Sequence, residues 1–355
     1  MKIIITGGGT GGHVFPGLAV AEELISRKFT VLYVGTAGGL ESRLVPPKGI
    51  PFFTVRSGAF KNQSFLKRIR SFGNLLDGIR WAISFLRKER PAAVLGVGGY
   101  VSVPVCLAAF FLGIPIYLQE QNVSVGIANR FLGKLAKKVF LGFDQAAAYF
   151  SKKKCIVTGN PVRKEFYVET PKINLKYPCL LVLGGSQGAR SINEAMVHLV
   201  SKISEKFPDT TIIHQTGDKD FQWVRAAYEK DCRNPFVIMP FISDIYSTYL
   251  KATLVLSRSG ALTVSEIVQV SRPAIFVPYP RKGQNDQTAN AYFLREHGVA
   301  QVVEQGEEFE PRLWAAIQET FQTEILAEMV TKFSGLRRPD ALASIGDQIE
   351  RDLKV

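Results

Sequence analysis

The chain has 355 residues, more than one ordinary hydrophobic core accommodates, so its length predicts two domains. A composition of 46% hydrophobic and 21% charged residues is that of a globular protein and excludes a disordered, collagen-like or disulfide-stapled chain. Charge is the unusual quantity: 44 Lys and Arg against 31 Asp and Glu give +13, and residues 1–160 hold 21 basic and only 7 acidic residues. The first half carries the whole excess, which predicts an anionic partner there.

The cysteines and the apolar segments exclude further classes. Four cysteines lie far apart without a C-x-x-C pair, so we expect reduced thiols and neither a zinc cage nor a disulfide framework. The N-terminal apolar run is too short for the core of a signal peptide. Prolines and a glycine interrupt the longest apolar stretch, Val101–Leu118, which therefore predicts a buried helix and a strand rather than a transmembrane helix.

Strand and helix patterns alternate through the first 160 residues. A β-branched run at Lys2–Thr6 ends in glycines, helical spacing follows at Phe15–Arg27, and a second strand is predicted at Thr30–Val34. The pattern returns with strands at Ala93–Val97, Ile114–Leu118, Lys138–Leu141 and Cys155–Thr158 and a helix at Val103–Phe111. Such alternation predicts an α/β domain with a doubly wound parallel sheet.

The pattern restarts in the second half. Strands are predicted at Cys179–Leu183, Thr211–Gln215, Phe236–Met239, Leu254–Ser257, Ala274–Val277 and Ala300–Val303, with helices at Ile192–Phe207, Ala261–Gln269 and Asn290–Glu296. We therefore predict two Rossmann-like domains, residues 1–162 and 163–339. A last predicted helix, Asp340–Leu353, could pack against either domain.

A glycine loop, Gly7 to Gly12, separates the first strand from the first helix, where backbone amides and the helix dipole favour a diphosphate. The loop satisfies G-x-G-x-x-G, but nicotinamide or flavin binding also needs an acidic residue at the end of the second strand, and Tyr33–Thr36 has none. A P-loop is excluded because no G-K-[ST] closes the glycines.

His13 follows these glycines. The pKa of an unperturbed imidazole, about 6.5, suits a general base at neutral pH, and the alternative is a histidine that caps the loop. Glu120, close to a strand end, is the second candidate: its carboxylate could orient the imidazole or take the proton itself.

Three segments of the second domain follow predicted strands. The turn Gly184 to Ala189 could bind phosphate oxygens or be a structural tight turn, and Glu266 could accept a sugar diol or stabilise its helix dipole. The third segment contains Asp286 and Gln287. Because ligands of open α/β sheets bind at the carboxyl ends of the strands, the three segments predict one pocket.

Two other segments could bind a metal ion or a large anionic partner. Asp218-Lys219-Asp220 has a D-x-D form, but its polar surroundings predict a surface loop, and neither a metal nor a cofactor is expected. Lys61–Arg90 holds eight basic and two acidic residues, and Trp81 and Phe85 extend its apolar surface beyond one core-facing stripe. This pattern predicts an anionic membrane surface as partner; nucleic acid and a buried helix with a basic edge are the alternatives.

Six blocks in order resemble the MurG family of bacterial glycosyltransferases, which add N-acetylglucosamine to the lipid-linked muramyl-pentapeptide precursor of peptidoglycan. They are Gly8 to Gly17, Gly98-Gly99-Tyr100, Glu120-Gln121-Asn122, Gly159 to Arg163, Gly184 to Gly188 and Ser259 to Glu266. The resemblance implies a glycosyltransferase-B fold of two Rossmann-like domains facing a cleft. It also implies an acceptor-binding N-domain, a donor-binding C-domain, and a C-terminal helix, residues 340–355, that returns to the N-domain.

The resemblance further implies UDP-N-acetylglucosamine as donor, undecaprenyl-diphosphate-muramyl-pentapeptide as acceptor, and a peripheral location on the cytoplasmic face of the plasma membrane. Residues carried over as donor contacts are Thr10, Gly11, Gly12, Asn122, Arg163, Ser186, Ile242, Ala261, Leu262, Thr263, Val264, Ser265, Glu266 and Gln287. Glu266 would hold the ribose, Ser186 the phosphates and the backbone at Ile242 the uracil. Two alternatives stay open: a UDP-N-acetylglucosamine 2-epimerase that needs no lipid, and a basic nucleic-acid binder.

Overall fold

The computed structural model describes residues 1–57, 65–168, 173–185, 187–280 and 286–354, with side chains of residues 65–72 left out. These residues form two compact units. Unit 1 is Met1–Arg163 together with Pro339–Val355, and unit 2 is Lys164–Arg338. The predicted site residue Ser186 and the first four residues of the segment Lys61–Arg90 lie outside the described residues.

Unit 1 is a parallel sheet with helices. Its strands are β1 (Lys2–Thr6), β2 (Thr30–Gly35), β3 (Phe52–Thr54), β4 (Ala93–Gly96), β5 (Ile116–Glu120), β6 (Lys138–Leu141) and β7 (Cys155–Val157). Its helices are α1 (Gly11–Ser26), α2 (Glu41–Leu44), α3 (Phe65–Glu89), α4 (Ser102–Phe111), α5 (Ile127–Gly133) and α13 (Ala341–Leu353). The strand order β3-β2-β1-β4-β5-β6-β7 is doubly wound, with the switch point between β1 and β4.

Helix α1 begins inside the glycine run, at Gly11, rather than at Phe15 as the apolar spacing predicts. The first turn of a helix needs no apolar side chain, so periodicity does not detect it. The side chain of Thr10, the N-cap residue, makes no capping hydrogen bond. The first amides of α1 therefore point out of the helix toward the end of β1 without a side-chain acceptor from their own cap.

Helix α3 contributes to the core of unit 1 through the part that sequence analysis assigned to a membrane surface. Phe85 is 9% exposed and Ala82 and Leu86 are buried. Trp81 stacks on Phe85 with ring centroids 4.9 Å apart and packs against the same core. The interpretation of Phe85 as surplus surface is therefore wrong, because α3 packs against α4 and the ring centroid of Phe85 lies 4.7 Å from that of Phe53 in β3. Trp81 is partly buried against the same core.

Helix α13 completes unit 1 from the far end of the chain. It packs against α1, and Leu342, Ile345 and Ile349 are fully buried. The Arg27 guanidinium donates hydrogen bonds to Asp347 at 2.7 Å and Glu350 at 2.8 Å. Apolar burial and a small ion-pair cluster thus connect the last helix to the first.

Unit 2 repeats the architecture. Its strands are β8 (Cys179–Leu183), β9 (Thr211–Gln215), β10 (Phe236–Met239), β11 (Leu254–Ser257), β12 (Ala274–Phe276) and β13 (Ala300–Val302). Its helices are α6 (Arg190–Lys206), α7 (Phe221–Asp231), α8 (Ile245–Lys251), α9 (Ala261–Val270), α10 (Asp286–Glu296), α11 (Phe309–Thr320) and α12 (Thr323–Thr331). The order β10-β9-β8-β11-β12-β13 is all parallel and places the switch point between β8 and β11.

The predicted fold class, two Rossmann-like parallel-sheet domains, is confirmed. Helix α10 starts at Asp286 instead of Asn290 because its first turn is polar. None of the helices in the described ranges is both long and apolar enough to cross a lipid bilayer.

Candidate functional site

The predicted site residues of unit 1 lie at the carboxyl ends of β1 and β5. Thr10 to His13 follow β1, and Glu120 ends β5, with Asn122 two residues further on. Gly98, in the loop after β4, lies between these two segments. The switch point of the sheet thus collects the glycine loop, the imidazole and the carboxylate in one region.

A carboxylate that sequence analysis missed organises the glycine loop. Glu41 is fully buried, and its Oε2 accepts the backbone N–H of Gly9 at 2.9 Å while its Oε1 accepts the N–H and hydroxyl of Thr36 at 2.9 and 2.8 Å. Burial alone would raise the pKa of Glu41, but these hydrogen bonds outweigh it and hold the pKa below its ordinary value. The glycine loop therefore binds a carboxylate of the protein itself, that of Glu41.

His13 lies in the first turn of α1 and is partly exposed. Its Nδ1 is 3.0 Å from Oε1 of Gln121. Gly98 has φ of +99°, and a Cβ on it would lie 2.9 Å from both Cε1 and Nδ1 of the imidazole. A glycine at position 98 therefore lets the ring lie directly against the backbone.

Glu120 is 2% exposed and accepts three hydrogen bonds. The donors are the backbone N–H of Asn122 at 3.0 Å, its Nδ2 at 3.4 Å, and Nδ2 of Asn129 at 2.9 Å. Burial raises the pKa of Glu120 above its ordinary value, against the lowering effects of Asn122, Asn129 and the His13 imidazole. The carboxylate is thus near enough to His13 to interact with its charge, but it is committed to positioning Asn122 and Asn129.

Arg163 is exposed at the end of unit 1. The segment before it is connected to β5, because Asn160 accepts a hydrogen bond from Gln119 at 3.0 Å and donates one to the carbonyl of Gln121 at 2.9 Å. The structure thereby links the block that contains Arg163 to the block that contains Glu120.

In unit 2 a single side chain forms hydrogen bonds with both the glycine turn after β8 and the segment around Ile242. Gln215, at the end of β9, donates from Nε2 to the carbonyl of Gly185 at 2.8 Å, and its Oε1 accepts the N–H of Ile242 at 2.8 Å. A ligand that bonded the Ile242 N–H would have to replace the second of these bonds. Gln215 carries no motif signal beyond its place at a strand end.

Residues Ala261 to Glu266 form the first two turns of α9, directly after β11. Glu266 is half-buried, and its Oε2 accepts a hydrogen bond from the hydroxyl of Tyr249 at 3.3 Å. The Ser259 hydroxyl donates to the carbonyl of Gln287 at 2.8 Å, and Oε1 of Gln287 accepts the N–H of Tyr279 at 2.9 Å. The N-termini of α9 and α10 are therefore held side by side.

A partly buried cation lies among these segments. The Arg258 guanidinium donates to the carbonyls of Val277 and Pro278, to the side-chain oxygen of Gln305 and to the hydroxyl of Ser191, at 2.9 to 3.1 Å. Burial lowers the pKa of Arg258 to about 10, so it stays charged at neutral pH. None of these four acceptors is a carboxylate, and Ser191 lies in the first turn of α6, directly after the glycine turn.

The D-x-D segment is only partly a surface loop. Asp218 and Lys219 are exposed as predicted, but Asp220 is buried and accepts hydrogen bonds from Asn193 at 2.8 Å and from Trp223 and Arg190 at 3.0 Å. The prediction is wrong for Asp220 because this carboxylate ties α7 to α6.

Both halves of the chain resemble known proteins in sequence and in fold. Residues 3–141 match the glycosyltransferase family 28 N-terminal domain and residues 179–345 its C-terminal domain. A UDP-N-acetylglucosamine–N-acetylmuramyl-(pentapeptide) pyrophosphoryl-undecaprenol N-acetylglucosamine transferase of Myxococcus xanthus (strain DK1622) is 36% identical, over 98% of this chain and 92% of the relative. The crystal structure of Acinetobacter baumannii MurG is 30% identical and superposes with a TM-score of 0.83 over 99% of both chains.

A UDP-GlcNAc 2-epimerase from Neisseria meningitidis, solved with UDP-GlcNAc bound, covers 99% of this chain with a TM-score of 0.63 at 15% identity, which shows a shared fold alone. The chain is therefore a glycosyltransferase of family 28 with a glycosyltransferase-B-type fold. Within that class it belongs to the MurG family, as the six sequence blocks predict.

Proposed function

We propose that the protein transfers N-acetylglucosamine from UDP-N-acetylglucosamine to the 4-hydroxyl of the N-acetylmuramyl-pentapeptide on undecaprenyl diphosphate, a step that supplies peptidoglycan synthesis. The observation that carries the proposal is the family match over both domains, together with a partly exposed imidazole at the switch point of unit 1. The relatives' name gives donor and acceptor, and the site gives a group able to take the acceptor's proton.

His13 is the proposed general base. The acceptor hydroxyl gives its proton to the imidazole while its oxygen bonds to the anomeric carbon of the donor sugar. The bond from that carbon to the diphosphate oxygen breaks, and UDP leaves with the electron pair. Attack opposite the leaving group inverts the anomeric centre. The imidazolium then loses its proton to solvent.

Glu120 supports this step as a counter-charge. It is 2% exposed and its oxygens already accept three N–H groups, whereas His13 is partly exposed. The carboxylate therefore suits electrostatic stabilisation of the imidazolium better than direct proton transfer from a substrate. Asn122, held by Glu120, belongs with Thr10, Gly11, Gly12 and Arg163 to the proposed donor contacts of unit 1.

Unit 2 is the proposed donor domain. Glu266 is proposed to bind the ribose, Gln287 the sugar, and the glycine turn with Ser186 the diphosphate. Backbone amides at the start of α6 favour negative charge, and the Arg258 cation lies against the same helix end. Charge that develops on the departing UDP is thereby stabilised by groups that are fixed before the reaction.

The test is transfer of radiolabel from UDP-N-acetylglucosamine to lipid-linked muramyl-pentapeptide. We expect label in the lipid product, UDP release only when the lipid is present, and a loss of about 10²–10⁴-fold in kcat for His13→Ala with UDP binding intact. Conversion of UDP-N-acetylglucosamine into its UDP-linked C2 epimer without lipid would instead indicate the epimerase reaction. Full turnover by His13→Ala would contradict the assignment of the base.

We further propose peripheral attachment of the protein to an anionic membrane through the segment Lys61–Arg90. Support comes from the exposed side of α3, which carries Leu76 at 41% exposure with Arg80, Arg87 and Lys88. Helix α4, which packs on α3, exposes Phe110 and Phe111 at its end. Cations with exposed apolar side chains are the combination that anionic lipid surfaces bind.

A further inference from the structure

Gln121 occupies a buried position in which the orientation of its amide is determined by its neighbours. Its Nε2 lies 2.8 Å from the carbonyl oxygen of Val97 and 3.3 Å from that of Gln119, and it also meets the side-chain oxygen of Gln119. Backbone carbonyls can only accept hydrogen bonds, so the amide NH₂ must face them. The opposite orientation would place two oxygens against each other in a site with 1% exposure.

The amide oxygen of Gln121 must then face His13. It lies 3.0 Å from Nδ1 of the imidazole, and an amide oxygen can only accept. We infer that Gln121 holds the neutral His13 in the tautomer that carries its proton on Nδ1, so that Nε2 is the basic nitrogen of the site. The inference rests on the proposed role of His13 as base and deepens it, and it makes Gln121 a positioning residue.

The position of the ring supports the same assignment. Gly98 lies directly against Cε1 and Nδ1, which leaves the Nε2 edge of the imidazole on the side away from Gln121 and from the Gly98 backbone. A general base needs a lone pair on the nitrogen that meets the substrate. With the proton held on Nδ1, the lone pair is on Nε2, which neither Gln121 nor the Gly98 backbone contacts.

A neutral amide acts here where a carboxylate often orients a catalytic imidazole. An amide oxygen selects the tautomer without placing a second negative charge next to Glu120, which already interacts with His13. Two different residues therefore act on His13: the Gln121 amide sets the position of the imidazole proton, and Glu120 supplies the counter-charge to the imidazolium.

The direct test is ¹⁵N NMR of the full chain labelled in its four histidines, at about pH 8 where an unperturbed imidazole is neutral. The His13 signals are identified by their absence in His13→Ala. We expect a protonated, pyrrole-type Nδ1 and an unprotonated, pyridine-type Nε2. A protonated Nε2 in the unmodified protein would overturn the inference.

Variants assign the effect to Gln121. We expect Gln121→Met, which has no acceptor oxygen, to lose the preference for the Nδ1 proton and to lower kcat by about 10–100-fold, with KM for UDP-N-acetylglucosamine unchanged. Gln121→Glu keeps an acceptor oxygen toward Nδ1 and should keep the Nδ1 proton, but it loses the NH₂ that faces the Val97 and Gln119 carbonyls and should therefore lower stability. Gln119→Met removes an amide of the same size from the same buried cluster and should lower stability but leave the His13 tautomer as it is.

The outcomes separate the inference from the proposed function. An unchanged Nδ1–H signal in Gln121→Met would overturn the role of Gln121. An altered signal in Gln121→Met together with full turnover by His13→Ala would retain Gln121 as the group that sets the tautomer and reject His13 as base. Should Gln121→Met not fold, the spectra of the unmodified protein and of Gln121→Glu still decide, since either can show the proton on Nε2.

Discussion

Glu41 shows how a single residue can decide what a glycine loop binds. In a dinucleotide site the acidic residue at the end of the second strand holds a ribose of the ligand. Here the carboxylate comes from α2, five residues beyond Thr36, and its oxygens bind the backbone amides of Gly9 and Thr36. The Gly9 amide is thus bound by the protein's own carboxylate, whereas the Thr10 side chain caps none of the first amides of α1.

This geometry predicts a pH-dependent contribution of Glu41 to stability. Because the folded-state pKa lies below the ordinary value of about 4.3, the stabilisation is fully present above that pH and is lost as the pH falls through the lower, folded-state pKa. We expect Glu41→Gln to cost about 1–3 kcal/mol at neutral pH, since an amide cannot accept all three hydrogen bonds, and to weaken the acid sensitivity. Urea unfolding at several pH values measures both effects.

The matched control is Glu22→Gln. Glu22 pairs with Lys48 at 2.9 Å, but both side chains are about half exposed, so its removal should cost less than about 1 kcal/mol. Equal effects of the two substitutions would show that burial of Glu41 does not strengthen its hydrogen bonds.

Candidate residues that lie inside motifs were predictable from the sequence, whereas those that act from outside the motifs were not. His13 lies in the helix turn after β1 and Glu120 is the last residue of β5, both in recognisable blocks. Gln121 stands in one of those blocks, yet its role depends on the carbonyl of Val97, and that of Glu41 depends on a turn that brings α2 back to the loop. Such roles arise from contacts between separate loops, which residue spacing does not encode.

At the scale of elements, the parallel strands were predictable because burial on both faces makes them short continuous apolar runs. The strand β3, whose three residues are all at least partly exposed, was not predicted, nor were the helices α7, α8, α11 and α12. Helix α3 was predicted as amphipathic, but spacing alone could not tell which apolar side chains face the sheet. Phe85 faces it and Leu76 does not.

This difference within α3 predicts which substitutions affect membrane binding. Arg80→Ala should weaken binding to vesicles containing phosphatidylglycerol by about 1 kcal/mol, about fivefold, without loss of stability, because Arg80 is 79% exposed. Leu76→Ser should weaken it further. Phe85→Ser should instead destabilise the fold by about 3–5 kcal/mol, the usual cost of removing a buried aromatic ring.

Arg225→Ala is the control for charge. Arg225 is an exposed cation on α7 of unit 2, paired with a carboxylate one helical turn away as Arg80 is on α3. Vesicle co-sedimentation at low and high salt measures binding, and thermal unfolding measures stability. An equal loss of binding in Arg225→Ala would show that net charge acts rather than the segment Lys61–Arg90.

At the scale of the whole molecule, the uneven charge follows the division into units. The basic excess lies in residues 1–160, which form most of unit 1, whereas the rest of the chain is nearly balanced. Unit 1 is therefore the unit to which we assign the proposed anionic surface and diphosphate-linked acceptor, and in unit 2 the groups proposed to bind the donor are local ones such as Glu266 and Arg258. Helix α13 returns to unit 1, where Arg27 binds it.

That return of α13 predicts where the chain is most sensitive at its C-terminal end. Ile345 is fully buried in α13, which packs against α1, so Ile345→Ala should destabilise unit 1 by about 2–5 kcal/mol. Asp347 binds Arg27 at 2.7 Å but is 60% exposed, so Asp347→Asn should cost less than about 1 kcal/mol. Hydrogen exchange read by mass spectrometry should show faster exchange in α1 and β1 for Ile345→Ala and unchanged exchange in β8 and β9. A larger effect of Asp347→Asn would mean that the ion pairs, rather than apolar burial, hold the last helix.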